Sequence, residues 1–78
     1  MRVLSEHTLP EGIKATLFNW NGKYILKLEN GFLEQTYKVS EMEVSGQKEM
    51  EELLSDSEFI KQASSIFLQM EENLQPLF

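Results

Sequence analysis

Between residues 13 and 39 apolar and polar positions alternate, and the alternation is interrupted twice by Asn-Gly, at Asn21-Gly22 and at Asn30-Gly31. Asn-Gly between alternating runs is the strongest short-range hairpin signal, because a type I′ turn needs positive φ at both central residues. The spacing predicts strands over about 13–20, 23–29 and 32–39, joined as an antiparallel meander. Two-residue loops also set the register. Around the first turn Trp20 is expected opposite Lys23, Phe18 opposite Ile25, Leu17 opposite Leu26 and Thr16 opposite Lys27. Around the second, with Asn30-Gly31 at the centre, Leu28 is expected opposite Leu33, Lys27 opposite Glu34, Leu26 opposite Gln35, Ile25 opposite Thr36, Tyr24 opposite Tyr37 and Lys23 opposite Lys38.

Opposed residues share a face, and both turns agree on which face is apolar. One side collects Ile13, Ala15, Leu17, Tyr24, Leu26, Leu28, Leu33, Tyr37 and Val39, with Asn19 and Gln35 as polar exceptions. The other carries Phe18, Trp20, Ile25 and Phe32 among Lys14, Lys23, Lys27, Lys38, Glu29 and Glu34.

After Val39 the period changes from that of a strand to that of a helix. Ser55-Asp56-Ser57-Glu58 reads as a capping box with Ser55 as the cap, opening a helix over about 56–74 that ends at Pro76. At about 100° per residue Phe59, Ile60, Ala63, Ile66, Phe67, Met70 and Leu74 form one stripe, and Leu68 falls opposite it. A shorter helix over about 47–54, entered through Ser45-Gly46, offers Met50, Leu53 and Leu54 to the same layer. The expected fold is therefore a single α+β domain over residues 1–78, a three-stranded antiparallel β-meander with one face packed by two C-terminal helices. Leu9-Pro10-Glu11-Gly12 reads as a turn, so that Val3 and Leu4 either add a short N-terminal strand or cap a sheet face.

Composition narrows the function classes. The chain has no cysteine, which excludes a disulfide framework, a thiolate nucleophile and cysteine-based zinc patterns and fits a reducing compartment. The N-terminal residues lack the apolar run of a signal peptide, and no stretch approaches a membrane span, so a soluble, cytoplasmic protein is the expectation. The net charge of −6 is uneven. Residues 1–40 carry five basic against four acidic residues, a balance of +1, whereas residues 41–78 carry two lysines against nine acidic residues, a balance of −7. The acidic half repels phosphate backbones and anionic membranes.

Catalytic chemistry finds little support. His7, the one histidine, lies in the least patterned segment and reads as an exposed terminal imidazole, and Asp56, the one aspartate, belongs to a helix start. No serine sits in a Gly-x-Ser-x-Gly elbow or a Ser-x-x-Lys pattern. Glu41/Glu43, Glu49/Glu51/Glu52 and Glu71/Glu72 fall on solvent faces, where carboxylates do not serve as the protonated acids that catalysis needs. There is no His-x-x-x-His, no calcium loop and no glycine-rich phosphate loop. The reading is a non-enzyme without metal or cofactor.

What lacks a structural job is the second sheet face. Phe18, Trp20 and Ile25, with Lys23 and Lys38 around them, exceed the isolated apolar residues that surfaces normally carry. Three explanations compete for it. Val3 and Leu4, or the tail Leu74, Leu77 and Phe78, could fold over it as a second minor core. It could bind protein, most simply a second copy in a two-fold homodimer with the sheet faces opposed. Or it could be a nucleic-acid platform of lysines and stacking aromatics, which Glu29 and Glu34 weaken by leaving the face at only +2. Association with protein is the preferred function, and nucleic-acid binding the alternative.

Overall fold

The computed structural model describes all 78 residues. Four antiparallel strands, β1 (Arg2–Thr8), β2 (Lys14–Trp20), β3 (Lys23–Asn30) and β4 (Leu33–Ser40), form one sheet in the order β1-β2-β3-β4. Two helices follow, α1 (Gln47–Glu52), continued by a 3-10 turn over Leu53–Ser55, and α2 (Ser57–Leu74). The architecture is the expected α+β one with a fourth strand where the sequence left a choice. No helix is long and apolar enough to cross a membrane.

β2 and β3 pair as the sequence predicts, Leu17 with Leu26 and Phe18 with Ile25. Their turn has φ of 54° at Asn21 and 74° at Gly22, the two positive values a type I′ turn needs. The second hairpin departs from expectation. Asn30 stays in β3 and pairs with Leu33, so the turn residues are Gly31 and Phe32, and only Gly31 has positive φ, at 62°. A glycine at the first central position suits a type II′ turn. β4 is therefore displaced by two residues from the predicted register: Glu34 opposes Glu29, Gln35 opposes Leu28, Thr36 opposes Lys27, Tyr37 opposes Leu26 and Lys38 opposes Ile25. A slip of two keeps every side chain on its face, so Leu26, Leu28 and Leu33 stay in the core. It also separates Lys23 from Lys38, and the Glu29–Glu34 opposition it creates is relieved by Lys27, whose Nζ lies 3.9 Å from Glu29.

β1 pairs along β2 with a bulge at Leu4, Val3 facing Phe18 and Ser5 facing Leu17. The extra residue turns Leu4 inward onto the core and leaves Val3 on the opposite face. The link from β1 to β2 is a tight 3-10 turn over Pro10–Gly12 in which Glu11 holds a φ of 64°. Its carboxylate accepts a hydrogen bond from the Ser64 hydroxyl at 2.6 Å, tying the turn to α2.

The core lies between the sheet and the helices, where Ile13, Ala15, Leu17, Leu26 and Leu28 meet Met50, Leu54, Ala63 and Phe67. Gln35, a polar exception on this face, is satisfied there: its amide donates to the Ala63 carbonyl at 2.9 Å and its carbonyl accepts from the Tyr37 hydroxyl at 2.8 Å. Two expectations for α2 need correction. Its cap is Asp56 rather than Ser55, because the Asp56 carboxylate accepts from the amides of Glu58 at 2.9 Å and Phe59 at 3.3 Å, while Ser55 completes the preceding 3-10 turn. Ile66, placed in the buried stripe by periodicity, is 43% exposed on the stripe's margin, and Leu68 faces solvent as expected.

Candidate protein-interaction face

The helices cover only one side of the sheet. Across the other, the observed registers align rows of side chains: Val3–Phe18–Ile25–Lys38, Glu6–Thr16–Lys27–Thr36, and Thr8–Lys14–Glu29–Glu34, with Trp20 and Lys23 paired at the end. Neither segment that could have covered this side does so. β1 extends the sheet instead of folding across it. The tail runs past the β3–β4 turn, where Phe78 meets Phe32 edge-on with ring centroids 6.0 Å apart.

The structure brings all five sequence-derived residues, Phe18, Trp20, Ile25, Lys23 and Lys38, to one end of this face, but not in equal roles. Trp20 is 47% exposed and Phe18 is half-buried, whereas Ile25 is only 5% exposed. Ile25 sits at the middle of an inner strand with Phe18 and Lys38 on either side, so it forms the floor of the patch and offers little contact area. Lys23 and Lys38 are exposed at the rim. Lys27 lies with its Nζ 5.5 Å from the centre of the Phe18 ring, in cation–π range, which holds that ring against the sheet.

Val3, 52% exposed beside Phe18, belongs to the patch and was not among the expected residues. Only the bulge at Leu4 puts it on this side, and no short-range signal announces a bulge. β1 also brings Glu6, whose carboxylate lies 3.5 Å from Lys14, so the strand part of the face carries four lysines against three glutamates, a balance of +1.

His7 differs from its sequence reading. It is half-buried in β1, with Nε2 3.0 Å from the Ser5 hydroxyl and 3.7 Å from a Glu51 carboxylate oxygen on α1. Hydroxyl and carboxylate approach the same ring nitrogen, so the imidazole is not aligned to pass a proton from one to the other as in a nucleophile–base–acid relay. The Ser5 hydroxyl and the Gln47 amide, with smaller help from His7, hold the Glu51 carboxyl below the usual carboxylate range, and Ser5, His7 and Glu51 form a polar clasp between β1 and α1. Elsewhere there are two shallow depressions. One of about 150 Å³ is bordered by Glu11, Asn30, Ser64 and Glu71 over Phe67, and one of about 230 Å³ by Leu33, Met70, Asn73 and Leu74. Set against family models, curated proteins and solved structures, the chain finds no match in any of the three.

Proposed function

We propose that the domain is a non-catalytic association module that binds protein through its open sheet face, most simply a second copy apposed about a two-fold axis. The observation that carries this reading is the cluster of exposed Trp20 and Val3 with half-buried Phe18 on a sheet face that neither the helices nor the chain ends cover. Aromatic anchors at the centre with charged residues at the rim match the anatomy of an interface, and Lys23 and Lys38 supply that rim. Burying an exposed aromatic side chain contributes about 2–3 kcal/mol, comparable with the ~3–5 kcal/mol that a core of this size supplies.

The test is Trp20→Lys, followed by light scattering over a range of concentration. In the monomer the new ammonium stays hydrated and the fold is retained. In the apposed pair it would be desolvated near Lys23 and Lys38, and association through this face is lost. A variant that associates as tightly as its parent overturns the reading. The alternative, nucleic-acid binding, draws on Lys23, Lys27 and Lys38 beside Phe18 and Trp20, while Lys14 lies two rows away and is paired with Glu6, which weakens it further. It predicts that a labelled single strand binds the parent, and that loss of the aromatic removes about 1–3 kcal/mol of stacking per base.

A further inference from the structure

The sheet has two edges, and they are not alike. β1 is broken by its bulge, a common way of blunting an edge against strand pairing. β4 is regular over eight residues, has no proline, and pairs only with β3. Because Asn30 and Leu33 close a two-residue turn, Leu33, Gln35, Tyr37 and Val39 exchange hydrogen bonds with β3. The N–H and C=O groups of Glu34, Thr36 and Lys38 then point away from the sheet, and these three residues are exposed.

Their order is self-complementary. If β4 meets a second β4 antiparallel with Thr36 at the centre, Thr36 faces Thr36, and Glu34 of each copy faces Lys38 of the other. All of these are pairs whose free backbone groups can bond. Threonine pairs and opposite charges are both favourable cross-strand neighbours. The helix layer agrees with this seam. α2 runs beneath β4, Ala63 accepting from Gln35 and Phe59 packing on Tyr37 at 5.7 Å between ring centres. At about 100° per residue Ile66 projects within about 20° of Phe59 and Asn73, on the flank away from Ser64 and its contact with the β1–β2 turn. The exposed Ile66 and the depression lined by Leu33, Met70 and Leu74 therefore border the same open edge.

We propose that two copies of the chain pair edge to edge through β4, antiparallel about Thr36, into one continuous sheet, with the flank of α2 that carries Ile66 turned toward the seam on each copy. This contact is separate from the open-face pairing and compatible with it, since the two-fold axis stands perpendicular to the sheet and leaves both open faces on the same side.

The test uses charge reversal at two exposed positions and sedimentation equilibrium on the full chain. Glu34→Lys puts lysine opposite lysine and Lys38→Glu puts glutamate opposite glutamate, so each variant alone should self-associate at least about tenfold more weakly. An equimolar mixture of the two restores two opposite-charge pairs across the seam and should dimerise about as tightly as the parent. The double variant Glu34→Lys/Lys38→Glu should do the same by itself. Circular dichroism confirms that each variant is folded. A parent that stays monomeric at every concentration overturns the proposal, as does a dimer indifferent to both single changes or a mixture that does not recover affinity. Trp20→Lys separates the two contacts: a dimer that survives it but yields to Glu34→Lys uses the edge alone, and one that yields to Trp20→Lys but not to Glu34→Lys uses the open face alone and refutes the edge.

Discussion

Asn30 and Gly31 look like one unit in the sequence and behave as two in the structure. Asn30 ends a strand, while Gly31 carries the positive φ that opens the turn. Valine at Gly31 should cost well over 1 kcal/mol, because a β-branched residue is badly strained at a φ of 62°. Valine at Asn30 should change stability by no more than about 0.5 kcal/mol, since extended backbone suits it. Urea midpoints of the two variants check the pair, and equal losses would restore the turn that the sequence predicts. The cap of α2 is a second case at this scale. Asp56→Ala should lose about 1 kcal/mol, and Ser55→Ala should lose much less, because Asp56 and not Ser55 receives the first amides of the helix.

At the scale of elements, α2 is held by its stripe. Phe67→Ala should lose about 3–5 kcal/mol, enough to unfold most of the population, whereas Leu68→Ala should be near neutral, as thermal melts would show. The clasp between β1 and α1 makes a pH-dependent prediction. Glu51 is held below its usual range by the Ser5 hydroxyl and the Gln47 amide, so the unfolded chain takes up the proton first as the solution is acidified. The stabilisation is complete above the ordinary carboxylate value near ~4.3 and is lost as pH falls through the lower folded value. Glu51→Gln should therefore trail its parent in melting temperature at neutral pH and converge with it in acid. A constant offset between the two curves would show that the clasp contributes by packing and not by charge.

For the whole molecule, a small core and an uncovered apolar face make folding and association two parts of one equilibrium. Anything that binds only the folded state stabilises it by mass action, so the melting temperature of the parent should rise with protein concentration. Trp20→Lys and Glu34→Lys should each reduce that rise, and the two changes together should abolish it. A melting temperature independent of concentration in the parent would mean that the folded chain gains nothing from a second copy.

Much of this fold was legible in the sequence because it is written in short-range signals. Alternation assigned the two sheet faces, Asn21-Gly22 set the β2–β3 register, and the period of residues 56–74 located α2 and its buried stripe. What those signals share is that each acts within a few residues, through backbone sterics or the geometry of one element. The remainder depended on contacts between distant segments. The fourth strand and its bulge exist because β1 pairs with β2, and that pairing alone brings Val3 and Glu6 to the open face and His7 to Glu51. The position of β4 was decided by tertiary structure for a related reason: two registers separated by two residues bury the same side chains, so the apolar pattern is blind to the difference. Only the turn at Gly31 and the packing of α2 beneath Gln35 and Tyr37 choose between them.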